Sequence, residues 1–121
     1  MTNLFTYGTL MYQDVMYDLS SEKYPFKKAT LKGYQRQRLV HRAYPGLIIA
    51  PGQSVEGVVY LGINEKDLKR LHIYESEYTP IEVELLTEDN EYIDALAYLY
   101  NKPEKTTKEV WDPKEYEKSY R

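Results

Sequence analysis

The sequence predicts an α+β fold: a small, mainly antiparallel sheet with some mixed pairing, curled or closed into a β-barrel and flanked by two or three short helices. Three observations lead there. Short β-prone runs recur along the chain without the βαβ spacing of a parallel sheet. The aromatic content is carried by Tyr 14 against Phe 2 and Trp 1, and tyrosine suits half-buried sheet surfaces and cavity walls. Finally, 121 residues of which 42% are hydrophobic suffice for one core and therefore for a single domain over 1–121.

The elements follow in order. Leu4-Phe5-Thr6-Tyr7 is an opening strand halted by Gly8 at a tight turn, and Val15, Met16 and Leu19 stand at helical spacing within a brief helix over 13–19. Residues 29–40 read as a strand or bent hairpin arm with Gly33 as a bulge. Tyr44-Pro45-Gly46 is turn chemistry, Leu47-Ile48-Ile49 a short buried strand or loop anchor before Pro51-Gly52, and 55–61 the next strand, with Gly57 marking close backbone approach. A helix over 65–74 has Asn64 as its N-cap and Asp67 at N3, a variant capping box. Ile81, Val83 and Leu85 alternate with Glu82 and Glu84, and Glu88-Asp89-Asn90 turns the chain into a second strand over 92–100, which makes a hairpin. Asp112, Pro113 and Glu115 form a helix start, with Trp111 and Tyr116 as its hydrophobic staple.

Composition narrows the function. Lys+Arg 16 against Asp+Glu 19 gives a net charge of −3 and no overall basic field for nucleic acid. The remaining argument for nucleic acid, exposed tyrosines beside the basic 23–42 stretch, lacks a basic groove. No apolar run approaches the ~20 residues of a membrane span, and the start lacks a charged n-region with an apolar h-region. With Cys 0 there is no disulfide, thiolate nucleophile or thiolate metal site, and a cytoplasmic location is expected. Charge is segregated, with seven basic and no acidic residues in 23–42 and eight acidic and no basic residues in 75–94. Neighbouring strands exchanging cross-strand pairs account for that better than an anion-binding patch.

The usual catalytic signatures are missing. Gly52 to Gly57 has P-loop glycine spacing, but Val58 stands where the lysine is required. His41 and His72 are not at metalloprotease spacing, and no nucleophile elbow is present, so no metal site and no cofactor is expected. Carboxylate, hydroxyl and backbone amide remain. On the 65–74 helix, Leu68 and Leu71 mark the buried stripe, and Glu75 falls about 20° from Leu68 at about 100° per residue. An acid on an apolar face is either a satisfied structural group or a carboxylate whose pKa desolvation has raised, the condition of a general base near neutrality. Glu77 is the nearby rival, but it lies about 200° further round and should face away. The turn Tyr7-Gly8-Thr9-Leu10 is the second feature, a run of N–H groups that can nest an anionic or carbonyl oxygen.

Together these pieces resemble the γ-glutamylcyclotransferase-like family, in particular its small bacterial members and the plant avirulence-induced proteins. The resemblance spans nearly the whole chain: Leu4-Phe5-Thr6-Tyr7-Gly8-Thr9-Leu10-Met11, Leu31-x-Gly33-Tyr34, Tyr44-Pro45-Gly46-Leu47, Val55-x-Gly57-x-Val59-Tyr60, Leu68-x-x-Leu71-x-x-Tyr74-Glu75-x-x-Tyr78, then Val83, Ala97-Tyr98 and Trp111. It implies a γ-glutamylcyclotransferase-like fold. It also implies that amides of the Tyr7, Gly8, Thr9 and Leu10 turn hold a glutamyl moiety and that Glu75 is the catalytic acid and base; Tyr78 is a candidate for bordering the substrate. Two positions depart from the family pattern: His72 replaces an Asp, and Ser76 replaces the Gly after the glutamate. The implied reaction cyclises a γ-glutamyl amide or amine to 5-oxoproline and releases the amine, without metal or cofactor. The alternative is a non-catalytic small-molecule binding or interaction domain on the same scaffold. Tyr12, Tyr44 and Tyr98 are further candidates for the cavity wall.

Overall fold

The computed structural model describes residues 1–120. Six strands and three α-helices follow one another: β1 (Thr2–Thr6), a 3₁₀ turn (Thr9–Met11), α1 (Gln13–Leu19), β2 (Phe26–Leu39), β3 (Pro45–Ile63), α2 (Glu65–Tyr74), β4 (Tyr78–Thr87), β5 (Tyr92–Tyr100), β6 (Thr106–Val110) and α3 (Pro113–Tyr120). Five strands close a mixed barrel. β1 lies antiparallel to the end of β3, with Leu4 opposite Tyr60 and Thr6 opposite Val58, and β3 is antiparallel to β2 along most of its length. β2 meets β4 through Ala29–Thr87 and Thr30–Leu86, and β4 and β5 form the expected hairpin. A parallel contact of β5 with β1, Leu96 opposite Leu4, completes the ring. β6 stands outside it, added to the far end of β2.

The alternating strand patterns fill the barrel from within. Phe5, Leu47, Val59, Leu85 and Ala97 are fully buried together, each large one contributing about 1.5–3 kcal/mol of apolar burial. A second cluster, Leu4, Leu10, Met16, Tyr60, Ile63 and Leu71, packs α1 and α2 on the barrel wall. Gly57 is required where β1 crosses closest, since a Cβ there would lie 2.2 Å from the Thr6 carbonyl oxygen. Gly33 has φ +91 at the β2 irregularity between Lys32 and Tyr34, the bulge its sequence context predicts.

Four expectations need correction. β3 does not break at Pro51-Gly52: residues 45–63 form one strand, because the irregularity opposite Gly33 takes up Ala50 to Gln53 without ending the pairing. Ile49 is exposed, not buried, although two-residue alternation puts it on the same face as the buried Leu47; it is the last paired residue before the irregularity opposite Gly33. Asp67 is fully buried. It does not close a capping box; it accepts hydrogen bonds from the Tyr24 hydroxyl (2.5 Å) and from the Ser21 N–H and hydroxyl, while Asn64 caps α2 through the Asp67 N–H at 2.8 Å. The segregated charges meet at connecting segments and not as cross-strand pairs. Lys27 reaches Asp89 and Glu91, and Arg42 reaches Glu77. Among the described residues no helix is long and apolar enough to cross a membrane.

Candidate active site

β1 and the first residues of β3 both run beside β5, Leu4 opposite Leu96 and Leu47 opposite Leu99. Between the end of β1 and the start of β3 the wall is left to the Tyr7–Leu10 turn, and here the barrel opens into a cavity of about 300 Å³. The turn lines one part of it; Tyr44 and Pro45, the segment 74–78 and Tyr98 line the rest. All six residues expected at the site, Tyr7, Gly8, Thr9, Leu10, Glu75 and Tyr78, therefore border one cavity. Tyr44 and Tyr98 border it as well. Tyr12 is not on this wall and instead stacks against Tyr116 at 5.9 Å.

Partners behind the turn fix its backbone. The Arg36 guanidinium donates to the Tyr7 carbonyl at 3.0 Å, Met11 N–H to Gly8 O and Tyr12 N–H to Thr9 O, and the buried Tyr60 hydroxyl to Leu10 O at 2.8 Å. Four consecutive carbonyls are thus occupied. Among the described residues the N–H groups of Gly8, Thr9 and Leu10 donate to no protein acceptor, which leaves them available to a ligand oxygen. Gly8 serves close approach and not a positive φ: its φ is −127, and an added Cβ would lie 2.9 Å from the Pro45 ring.

Glu75 is the C-cap residue of α2. Its N–H donates to Leu71 O at 2.9 Å and its carbonyl accepts from Tyr78 N–H at 3.0 Å, so helix and β4 join through a tight turn of Ser76 and Glu77. Ser76 is not among the non-glycine residues with positive φ, which are His41, Asn90 and Lys108. A glycine is therefore not needed there, and the departure from the family pattern leaves the turn intact. The Glu75 carboxyl is half-buried at the cavity wall, and burial, followed by the neighbouring Glu77 charge, pushes its pKa up to about 7. Glu77 does not face away as the helical projection indicates, because α2 ends at Tyr74 and the projection no longer applies. It lies at the cavity, paired with Arg42 at 2.9 Å.

Tyrosines surround the carboxyl. Tyr7 donates to the Tyr98 backbone carbonyl at 2.5 Å and Tyr78 to the Pro45 carbonyl at 2.8 Å. Burial, reinforced by nearby groups that include Glu75, holds the Tyr7, Tyr78 and Tyr98 hydroxyls protonated well above the ordinary tyrosine value. His72, the other departure, sits 2.7 Å through Nδ1 from the Tyr98 hydroxyl, so it supports a cavity residue without lining the cavity. Arg42 is a cavity residue outside the motifs: it lies in the loop before β3 and reaches the cavity through folding, with no local signal beyond its charge. Among the described residues no cluster of three or more His, Asp or Glu is placed to hold a metal ion.

Comparison with known proteins identifies the family and the fold. The family model "Gamma-glutamyl cyclotransferase, AIG2-like" matches residues 4–119. AIG2-like protein A of Arabidopsis thaliana is 30% identical over 122 residues, covering 98% of this chain and 74% of its own. The solution structure of an Arabidopsis thaliana protein superposes with a TM-score of 0.81 at 30% identity, over 97% of this chain and 80% of that one. A structure described as a gamma-glutamyl cyclotransferase shares the fold at a TM-score of 0.70, with 21% identity over 83% of this chain and 66% of that one. Sequence and fold together lead to one conclusion: this chain belongs to the gamma-glutamyl cyclotransferase, AIG2-like family.

Proposed function

We propose that the protein cyclises a γ-glutamyl amide or amine, forming 5-oxoproline and releasing the amine, with Glu75 as the general acid and base. The observation that carries this reading is a half-buried carboxyl of pKa about 7 on a cavity wall that also holds a turn with uncommitted N–H groups. Near neutrality such a group is present in both protonation states, as one residue doing two proton transfers requires.

In the first transfer the Glu75 carboxylate takes a proton from the substrate α-ammonium, and the freed nitrogen attacks the γ-carbonyl carbon. The carbonyl π pair moves to oxygen, and the oxyanion is steadied by N–H groups of the Gly8–Leu10 turn; one such donor is typically worth about 2.7–4 kcal/mol. Collapse of the tetrahedral intermediate breaks the bond to the departing nitrogen, to which Glu75 returns its proton, and the ring nitrogen gives up its second proton to the released amine, which leaves as an ammonium ion. The new lactam C–N bond replaces the old amide bond. Because nucleophile and electrophile belong to the same glutamyl unit, holding it folded supplies much of the rate. Buried, protonated Tyr7, Tyr78 and Tyr98 border the space without competing for the ammonium proton.

The reading is tested by mass-spectrometric detection of 5-oxoproline from γ-glutamyl amino acids, γ-glutamyl amines, γ-glutamyl-ε-lysine and glutathione. Release from at least one class is expected. Ligand binding without release from any of them would instead favour a binding domain on this scaffold.

A further inference from the structure

The cavity-lining turn rests on a cation that the proposed mechanism does not use. Arg36 projects from β2 behind the turn, and its Nη1 donates to the carbonyls of Tyr7 and Glu56, both at 3.0 Å. Its guanidinium lies over the Trp111 ring, 5.4 Å from the centroid. Trp111 is itself buried and pinned on both sides, with its N–H on the Arg36 carbonyl at 3.1 Å and its indole N–H on the Ala43 carbonyl at 2.8 Å. Arg36 is half-buried. The ion pairs of the described residues fall at Lys27, Arg38 and Arg42 and do not include it. Asp112 and Glu56 act on it only from a distance, against the desolvation that draws its pKa down. An arginine nevertheless stays charged in such a setting.

Covalent geometry gives this placement a consequence. In a trans peptide the C=O and N–H point in opposite directions, and the chain has no cis bonds. The Tyr7 carbonyl is aimed at Arg36, outside the cavity lining. The N–H of the same peptide, that of Gly8, therefore points away from Arg36, and Gly8 lines the cavity. A charged donor on the carbonyl polarises the amide and strengthens its N–H as a donor.

We infer that Arg36 is a positioning residue of the site, acting through the Tyr7–Gly8 peptide: it fixes the turn and polarises the Gly8 N–H toward an anionic or carbonyl oxygen of the ligand. Trp111 holds Arg36 in place, which gives the β6–α3 segment a role at the site although it contributes nothing to the cavity wall. The inference rests on the proposed function for its ligand, a γ-glutamyl group, and on geometry alone for the polarised amide.

The test compares wild type with Arg36→Lys, which keeps a charged donor, and Arg36→Met, which keeps an apolar stem over Trp111 and no donor. Folding of each is checked by thermal denaturation. The Gly8 amide proton is followed by NMR, and binding of 5-oxoproline by titration. Expected for Arg36→Met are an upfield move of the Gly8 amide and a loss of about tenfold or more in 5-oxoproline affinity, with Arg36→Lys recovering a large part of both. A folded Arg36→Met protein with its Gly8 amide and affinity unchanged would overturn the inference, as would an Arg36→Lys protein no better than Arg36→Met. Wild type that neither binds nor releases 5-oxoproline would refute the proposed function instead, and the Gly8 resonance would still decide whether Arg36 polarises the turn.

Discussion

The Tyr78 hydroxyl donates to the Pro45 carbonyl across 2.8 Å, joining the first residue of β4 to the first residue of β3 over the cavity. Together with the Arg42–Glu77 ion pair, this bond ties the segment that carries Glu75 to the start of β3. Tyr78→Phe removes the donor and leaves a partly buried carbonyl unpaired, so a loss of about 1–2 kcal/mol is expected, read as a lower urea midpoint at unchanged m-value. Activity per folded molecule should also fall, since Glu75 is separated from Tyr78 only by Ser76 and Glu77 and shares that tether.

Glu75 sets a pH dependence of stability with a definite sign. Its pKa is raised from 4.5 to about 7 in the folded protein, so between these values the native state binds more protons than the unfolded chain. Stability therefore falls as pH rises through that window and levels off above about 7. Glu75→Gln carries no charge to desolvate. It should be more stable than wild type at pH 8, by about 1–3 kcal/mol, with little difference at pH 4. Urea denaturation of both proteins across pH 4–8 measures this directly, and equal stability at pH 8 would contradict the desolvated carboxyl.

The same group shapes the rate profile. If the free enzyme must hold Glu75 ionised to accept the ammonium proton, kcat/KM rises with pH and bends at about 7. An acidic limb bending near 4.5 would assign the base elsewhere.

Asp67 behaves in the opposite sense. Burial works to raise its pKa, but hydrogen bonds from the Tyr24 hydroxyl and from Ser21 overcome that and hold it below the ordinary carboxylate range. The stability it provides is present above the unfolded value of about 3.9 and is lost as pH falls through the lower folded one. Asp67→Ala leaves those donors unpaired and should cost about 2–4 kcal/mol by chemical denaturation, with turnover per folded molecule largely kept because Asp67 does not line the cavity.

Much of this was legible in the sequence, and the exceptions have physical reasons. α2 could be drawn from Asn64 to Tyr74 because cap and periodicity are local, and the same register turned Glu75 inward. The closure of α3 by Trp111 and Tyr116, whose rings meet at 5.6 Å, was local too. Asp67 misled because its partners Ser21 and Tyr24 are remote in sequence and look like loop residues. β6 went unread because an outer strand with only Thr106 buried shows no alternation. Glu77 and Arg42 reach the cavity without a sequence signal for related reasons: one lies just past the end of α2, where helical projection stops applying, the other in a loop that only the barrel brings round.

Gly57 offers a test of the barrel itself. A methyl group at this position would overlap the Thr6 carbonyl oxygen and the Phe5 ring, and neither backbone can withdraw without opening the β1–β3 pairing. Gly57→Ala should destabilise by about 3 kcal/mol or more, visible as a large drop in Tm.

The central claim, that Glu75 performs both proton transfers, is tested most directly by the rate of 5-oxoproline release with Glu75→Gln beside wild type on one γ-glutamyl substrate, both shown folded at the assay pH. The account predicts that release falls by about 10²-fold or more while the variant still binds 5-oxoproline. Release at the wild-type rate from the folded variant would contradict it.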